Sequence, residues 1–521
     1  MQDSVVFVFV ILTGIKISCL SRKVTDLDNF DESIYLLRGT TLDPFLKPHI
    51  DGFIYYLWYK FLYLFTGNNI DLYFLNNSIL LILPGLLLFI FLRVINISLL
   101  ISFLAASIFI ISSVNVFVIP FITKFALCVI LAGLIIIYKT KTPQKKLLYS
   151  LYLSVILIYI RPEFFLSLLI TTIIYIRFLL RHANFRDKTL LIKNLSPVVL
   201  ILFLIIFFNP VSRQRANVAF TQHYHRHIIE SERTLNMEFP PSPVEIMKRD
   251  FSTEASIFAA LMNNPVLFIK HIGFNIIKLT ENIKNTFPYF FILSKRESIM
   301  TAMYLISILI FLFSFYFFAM RLWSRQSGLF SSIYFLVALP PFLSILIYYP
   351  RVHYIIIVFA MILIYVSYEI SQRLCNYEIF KKYSFPAAVV FGIFFAAVVP
   401  FRANTESIHE ISCTQLNTAG HLNSIKFRLK DNLNFFSAGP GIFTYLETNW
   451  HHVSDELLKM PLDTFLTKNN VHLILIDNYF LNHPLIKNNT EAETILNDTS
   501  FIRINMPDCF SYVLARKDVF R

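Results

Sequence analysis

Long apolar runs recur along this chain from its first residues to about position 400. A helix crosses the hydrocarbon core of a bilayer with about 20 apolar residues. The segments that approach this length are residues 4–20, 71–94, 96–114, 119–138, 147–160, 163–180, 194–209, 300–320, 328–349, 352–370 and 384–401. Charged residues make up only 15% of the 521 residues, against about 25% in soluble proteins. The sequence therefore predicts a polytopic α-helical membrane protein with about eleven spans.

Residues 402–521 differ in composition from the apolar part of the chain. They are polar and mixed in character, and two runs within them, "VHLILID" (471–477) and "SYVLARK" (511–517), are typical of β-strands. We therefore predict two domains, a transmembrane domain over residues 1–401 and a small α/β domain outside the membrane over residues 402–521.

The distribution of Lys and Arg predicts the orientation of the spans. The net charge is +13, but no nucleic-acid-binding module accompanies it, so we expect no nucleic-acid partner. The basic residues concentrate instead in short loops near residues 139–146, 177–193, 321–325 and 373–382. Because Lys and Arg favour cytoplasmic loops, the loops 21–70 and 210–299 and the C-terminal domain are expected outside.

Two amphipathic segments are expected at the membrane surface. The run "FIYYLWYKFLYLF" (53–65) is short for a span, and its Tyr, Trp and Lys residues suit the headgroup layer. A further span at this position is the alternative. Residues 249–279 have helical periodicity and are also expected on the outer membrane surface.

Acidic and basic side chains lie at the predicted external ends of segments that are far apart in sequence. They are Asp28, Asp31, Glu32, Lys47, Arg161, Glu163, Arg351 and His353. Ionisable residues at a bilayer are costly and usually functional. Transfer from a lipid-phosphate donor needs such a mixture, because a carboxylate can take the proton of the attacking hydroxyl while Arg and Lys stabilise the departing phosphate.

Four short motifs resemble those of the C-type (GT-C) membrane glycosyltransferases. "DESIY" (31–35) resembles a "DE-x-x-Y" motif of their first external loop, and "FLKPHIDGFIYYLWYKFLYLFTG" (45–67) resembles the stretch that follows it. "RPEFF" (161–165) and "PRVHY" (350–354) resemble further external-loop elements of bacterial members, among which are the aminoarabinose transferase and protein O-mannosyltransferase-like enzymes.

The resemblance implies an enzyme that transfers a sugar from a polyprenyl-phosphate donor to an acceptor hydroxyl, with inversion, outside a bacterial inner membrane. Asp31 stands at the position of the family's catalytic aspartate, with Glu32 beside it. Lys47 matches a lysine that faces the donor phosphate. The remaining residues expected to bind substrate are Tyr35, Arg161, Glu163, His223, Arg351 and His353. The acceptor is a lipid, a glycan or a protein.

The sequence also departs from the family. Leu46 stands where an acidic residue can meet a metal, and Thr123 and Lys124 stand where many relatives carry a second aspartate. We therefore assign no metal ligands and leave a divalent metal open as a cofactor. The run "QHYHRH" (222–227) lacks an obvious fourth ligand for zinc.

Other functions remain as alternatives. The acidic pair Asp31 and Glu32 could serve only to stabilise a helix N-terminus, and the arginines could anchor the protein to headgroups. A transporter or flippase for a lipid-linked saccharide would place its charges near the bilayer midplane. An enzyme of the O-antigen ligase or polymerase type would centre on Arg and His in a large external loop, for which residues 222–227 are candidates.

Overall fold

The structure of the protein is a computed structural model. It describes residues 2–41, 52–182, 213–231, 242–289, 329–402 and 414–521, with short gaps at 254–255, 375–377 and 440 and within 454–510. The chain divides into two compact units. The first unit contains Met1–Ser18, Pro44–Ile54 and Ile79–Phe401, and the second contains Cys19–Asp43, Tyr55–Ser78 and Arg402–Arg521.

The described residues are mainly helical. The helices of the N-terminal part are α1 (Gln2–Ser18), α2 (Asp31–Thr41), α3 (Phe53–Tyr63), α4 (Asn69–Val94), α5 (Leu99–Ile111), α6 (Ser113–Val116), α7 (Ile122–Lys139), α8 (Pro143–Ile158) and α9 (Phe165–His182). They are followed by α10 (Arg213–Ser231), α11 (Pro243–Phe251), α12 (Ile257–Asn263), α13 (Pro265–Asn282), α14 (Leu329–Ile347), α15 (Val352–Leu374), α16 (Glu378–Val398), α17 (Gln415–Ile425), α18 (Leu462–Lys468) and α19 (Asn478–Leu481).

Five helical stretches of the described residues are long and apolar enough to cross a membrane. They are Gln2–Lys23, Asn69–Val94, Ile122–Lys139, Pro162–Arg181 and Val352–Leu374. Helices α12 and α13 form a pair bent by 117° and would add a sixth if the pair crossed as one. The described part of the chain is therefore mainly helical and has five or six candidate spans, as expected of a membrane-embedded protein.

The prediction of about eleven spans is wrong for the part of the chain that the structure describes. Three predicted segments contain apolar helical stretches of only 10–17 residues, which are α5 (Leu99–Ile111), Val337–Ile347 within α14 and Lys382–Val398 within α16. A helix of 13 residues, such as α5, covers about 20 Å of a hydrocarbon core of about 30 Å. Apolar composition alone does not distinguish such a helix from a span. The predicted segments 194–209 and 300–320 lie outside the described residues.

The first unit is held together by apolar contacts between helices that are distant in sequence. Helix α1 packs against α5 and α16, and Val6 and Val10 share an apolar core with Phe103 and Ile110. Helices α8 and α9 form an antiparallel pair whose facing residues are apolar. The turn between α8 and α9 is short, and it carries two of the predicted site residues, Arg161 and Glu163.

The second unit contains a five-stranded sheet. Its strands are β1 (Asn434–Ser437), β2 (His451–Val453), β3 (Leu473–Ile476), β4 (Phe501–Asn505) and β5 (Tyr512–Arg516), in the order β2-β1-β3-β5-β4. Strands β1, β2 and β3 run parallel, and β5 pairs antiparallel with both β3 and β4. The sheet predicted near the C-terminus is confirmed, since residues 471–477 contain β3 and residues 511–517 contain β5.

N-terminal residues complete the second unit. The carboxylate of Asp26 accepts hydrogen bonds from the backbone N–H groups of Gln415 (2.9 Å) and Leu416 (2.8 Å), in the first turn of α17. The hydroxyl of Tyr445 donates to the carbonyl oxygen of Asp28 at 2.7 Å. The acidic segment at the start of α2 is therefore fixed to residues near the other end of the chain.

Helix α3 is short and amphipathic. Its 11 residues cover about 16 Å, so its length does not support a further span at residues 53–65. Tyr55 and Tyr59 are buried on its inner side, whereas Phe61, Leu64 and Phe65 are exposed. Its location at a membrane surface stays a prediction.

Candidate functional site

The acidic segment of the second unit begins α2. One carboxylate oxygen of Asp28 accepts a hydrogen bond from the backbone N–H of Glu32 at 2.8 Å and so satisfies an N–H group at the start of the helix. Burial raises the pKa of the Asp28 carboxyl above its usual range, and the neighbouring charge of Asp31 raises it further. The side chain of Asp31 itself is exposed. Of these three acids, Asp31 is therefore the one that solvent or a substrate reaches most directly.

Glu32 lies in a buried polar cluster, which we call the Glu32 cluster (Glu32, Tyr55, Tyr59 and Asn76). The residue is 0% exposed, and its Oε1 atom accepts hydrogen bonds from the hydroxyls of Tyr55, at 2.5 Å, and Tyr59. The side-chain amide of Asn76 donates to the same two hydroxyls at 2.7 and 2.8 Å. The indole N–H of Trp58 donates to Asn76 Oδ1 at 2.8 Å.

The chemistry of the Glu32 cluster is that of a fixed hydrogen-bond network. Burial raises the pKa values of the Tyr55 and Tyr59 hydroxyls well above their usual range, and the charge of Glu32 raises them further. Both phenols therefore stay protonated and keep donating to the carboxylate. Because the network joins α2 to α3 and α4, it holds α2 in place and suits Glu32 to positioning Asp31.

Tyr35, predicted to bind substrate, is buried beside this cluster. Its ring makes an edge contact with Tyr55 at a centroid distance of 5.5 Å and a tilted contact with Tyr56 at 5.8 Å. Through these contacts, Tyr35 packs α2 against α3. Lys47, the other predicted residue of this region, lies outside the described residues.

A second group of predicted residues converges in the first unit. Arg161 precedes Pro162, which restricts it to extended backbone (φ −143°, ψ 117°). The Arg161 side chain is only 8% exposed. Its guanidinium donates to the hydroxyl of Thr123, forms an ion pair with Glu163 and lies over the ring of Tyr354 at 4.7 Å. Arg161 is therefore firmly held, with one acid to balance its charge.

The remaining members of this group lie between α14 and α15 and on α10. Arg351 immediately precedes α15, and His353 lies in its first turn. The charges of Arg161 and Arg351 both act on the buried His353 ring, and the charge of Arg351 also acts on His223 of α10. We call Arg161, Arg351, His223 and His353 the Arg/His cluster. Segments up to about 190 residues apart thus deliver its members to one place in the first unit.

Charge in the Arg/His cluster is unbalanced. Glu163 pairs with Arg161, but among the described residues no carboxylate forms an ion pair with Arg351. His223 cannot add charge at neutral pH, because burial lowers its pKa to about 3, helped by the charges of Arg351 and Arg226. Among the described residues, a guanidinium without an ion-pair partner thus lies near the neutral imidazole of His223, an environment that favours an anion.

The ring of Tyr349 links the cluster to α10. His223 stacks on this ring at a centroid distance of 5.9 Å, and the guanidinium of Arg226 lies over it at 4.8 Å. The Tyr349 hydroxyl donates to Glu230 at 3.2 Å, and Glu230 in turn pairs with Arg226 at 2.8 Å. Sequence reasoning missed Arg226, Glu230 and Tyr349, although the i,i+4 spacing of Arg226 and Glu230 is a signal that could have found the pair.

The histidines of "QHYHRH" lie on α10. His227 Nδ1 is 3.0 Å from His271 Nδ1 of α13, and His271 Nε2 is 3.1 Å from the carbonyl oxygens of Ile347 and Tyr348. Carbonyls only accept, so His271 carries its hydrogen on Nε2 and His227 donates from Nδ1. Burial lowers the pKa of His227 to about 4. Among the described residues, no group of three or more His, Cys, Asp or Glu side chains is arranged to hold a metal ion.

No protein-family model matches this sequence, and no curated protein matches it. The likeness to the GT-C glycosyltransferases therefore rests on the short motifs described above.

Proposed function

We propose that this protein is a membrane glycosyltransferase that transfers a sugar from a polyprenyl-phosphate donor to an acceptor hydroxyl. We place the reaction at the external face of a bacterial inner membrane, with inversion at the sugar. The observation that carries the proposal is the Arg/His cluster, to which "RPEFF" and "PRVHY" contribute the buried Arg161 and His353 and the half-buried Arg351. Those are two of the motifs on which the resemblance rests.

The Arg/His cluster suits the phosphate of the donor. Arg351 offers a planar guanidinium without an acid partner among the described residues, and phosphate is the anion that this fork geometry fits. Arg161 is already bonded to Thr123 and Glu163, so its part is to hold the site and add positive potential. As the bond between the sugar carbon and the phosphate oxygen breaks, charge develops on that oxygen, and the cluster stabilises it.

Asp31 is the base of the proposed reaction. Its exposed carboxylate accepts the proton of the acceptor hydroxyl as that oxygen forms a bond to the sugar carbon, and the polyprenyl phosphate departs with the bonding electrons. Glu32 positions Asp31 through the buried network and does not itself meet the substrate. Lys47 stays a predicted ligand of the donor phosphate.

Turnover of labelled donors tests this proposal. Purified protein in nanodiscs would receive a panel of polyprenyl-phosphate sugars with a membrane extract as acceptor. We expect label transfer that is lost in Asp31→Asn, reduced at low donor concentration in Arg351→Gln, and kept in the exposed controls Asp463→Asn and Arg503→Gln. Unchanged turnover in both site variants, with folding intact, would overturn the assigned roles.

One observation favours a second candidate. Arg226 and His223 belong to the segment 210–299, and both surround Tyr349 next to Arg351. An O-antigen ligase or polymerase would use Arg and His of such a loop on a polyprenyl-diphosphate donor. Transfer from diphosphate-linked but not monophosphate-linked donors would favour that enzyme. Movement of the lipid-linked saccharide across the bilayer without transfer would favour a flippase.

A further inference from the structure

Helix α13 has an apolar outer side. Its inner side is mixed, with the polar His271 and Asn275, both 0% exposed, between the buried apolar Phe268 and Leu279. The Asn275 amide donates to the carbonyl oxygen of Leu346 at 2.8 Å, and His271 faces the next two carbonyls of the chain. The outer side carries Val266 and Ile269, which are 62% and 65% exposed. A helix facing water carries polar residues on its outer side.

The apolar surface is continuous along one face of α13. Positions three, four and seven residues apart share a face of a helix. The exposed apolar residues of α13 follow this spacing and are Val266, Ile269, Ile276 and Ile277. A side chain added at Gly273, on the same face, would meet no atom within 4 Å. The outer face of α13 is therefore uncovered within this chain, as far as the structure describes it.

The neighbouring helix α11 provides the contrast. Its buried residues are the apolar Ile246, Met247 and Phe251, and its exposed side carries the charged Glu245, Lys248 and Arg249. This is the normal arrangement at a water boundary. Helices α11 and α13 belong to the same unit and have outer sides of opposite polarity, so these sides face different surroundings.

Helix α12 extends the apolar surface around the 117° bend. Phe258 and Met262, one helical turn apart, are 73% and 65% exposed. The exposed charged residues of α13 are Lys270, at the edge of the apolar face, and Glu281, in the last turn, where it pairs with Lys278. A lysine at the edge of the apolar face can extend to headgroups while its neighbours contact hydrocarbon.

We propose that the outer faces of α12 and α13 contact the hydrocarbon of the bilayer close to its headgroup layer, while α11 faces water. The bent pair then lies within one leaflet and does not cross the membrane. The candidate spans of the same unit support lipid as the occupant, and the exposed apolar residues supply the favourable transfer free energy. This inference holds whether or not the protein is a glycosyltransferase.

Photolabelling of the wild-type protein tests the inference. The protein would be reconstituted in vesicles of phosphatidylethanolamine and phosphatidylglycerol that contain a phospholipid with a diazirine in its acyl chain. After illumination, mass spectrometry would locate the adducts. We expect several-fold more adduct on peptides from residues 257–282 than on peptides from residues 243–251. Equal labelling of the two regions would overturn the proposal.

Spin labels distinguish the other occupants. A label would be placed at Ile269→Cys, with Lys248→Cys as the water-facing control, in a background without the native cysteines. We expect the label at position 269 to be relaxed by dissolved oxygen, and the label at 248 by an aqueous nickel chelate. Relaxation of the position 269 label by nickel would mean that water covers α13. Protection from both reagents would mean that a protein partner or a second copy does, and either result overturns the proposal.

Discussion

The Glu32 cluster and the Arg/His cluster are both sets of polar side chains inside the protein. They differ in the partners that their charged side chains have. In the second unit, one carboxylate oxygen receives hydrogen bonds from two phenols that burial keeps protonated. In the first unit, Arg161 has such partners, but Arg351 has no acidic partner among the described residues.

This difference indicates which cluster stabilises the fold and which one is available to bind a ligand. A polar group whose hydrogen bonds are made inside the protein fixes the fold around it. A charge without a partner destabilises the ligand-free protein, and an oppositely charged ligand offsets this cost when it binds. We therefore expect changes in the Glu32 cluster to act on stability, and changes at Arg351 to act on donor binding.

The largest effect is expected for Glu32→Ala. Removing the carboxylate leaves two buried phenol donors without their acceptor, at about 1–3 kcal/mol each, so the free energy of unfolding of the second unit should fall by about 2–6 kcal/mol. Trp58 and Trp450 lie in this unit, and their fluorescence during thermal unfolding would report it. In the control Glu447→Ala, which removes an exposed pair with Lys426, the change should stay below about 1 kcal/mol.

Arg351→Gln should act in the opposite way. A hydrogen bond to a charged group contributes about 1.5–3 kcal/mol, so the KM for the donor should rise about 10- to 100-fold, while the melting temperature hardly changes. Arg161→Gln should lower both affinity and melting temperature, because that side chain holds Thr123 and Glu163. If the two variants changed the KM and the melting temperature alike, Arg161 could not be assigned to holding the site and Arg351 to binding the donor.

Smaller losses of stability are expected for the two aspartates before α2, Asp26 and Asp28. Asp26→Asn weakens two hydrogen bonds to the N-terminus of α17 and should cost about 1–2 kcal/mol. Asp28→Asn should cost less than about 1 kcal/mol at pH 7, because burial already disfavours the charged form of Asp28. Chemical denaturation monitored at Trp450 would rank the two. A larger loss for Asp28→Asn would contradict the assigned order.

The smallest effect at neutral pH is that of His223, which makes the stability of the first unit depend on pH. The pKa of His223 is about 3 in the folded protein and about 6.5 when unfolded. Between these values the unfolded chain binds a proton that the folded chain does not, so His223 makes stability decrease as the pH falls from 6.5 to 3. The melting temperature of His223→Gln should therefore decrease less over this range than that of the wild type. Parallel pH profiles would show that His223 does not contribute.

Much of the Arg/His cluster could be predicted from the sequence. Arg161, Glu163, Arg351 and His353 lie next to apolar segments, and the predicted alternation of spans would bring such ends to a common side of a membrane. The roles within the cluster could not be predicted, because the hydroxyl of Thr123 and the ring of Tyr349 become partners only through packing between helices.

The Glu32 cluster was harder to predict. "DESIY" identifies Glu32 as important but does not show that it is buried, since its partners Tyr55, Tyr59 and Asn76 come from two other helices. The spacing of Tyr55 and Tyr59 places them on one face of α3, yet aromatic residues in an apolar run more often indicate packing. The number of spans was overestimated for a related reason, as short apolar helices can be buried by their neighbours.

The bonds from Asp26 to Gln415 and Leu416 have a consequence for biosynthesis. The acceptor and its donors are 389 and 390 positions apart. At ~5–20 residues per second, the ribosome needs about 20–80 s to make the intervening chain. During that time the N–H groups that bond to Asp26 do not yet exist, although the apolar helices that follow the acidic segment have already been synthesised. The second unit is therefore the last part of the protein to mature, and a chain that terminates before Gln415 would lack these two backbone donors to the Asp26 carboxylate.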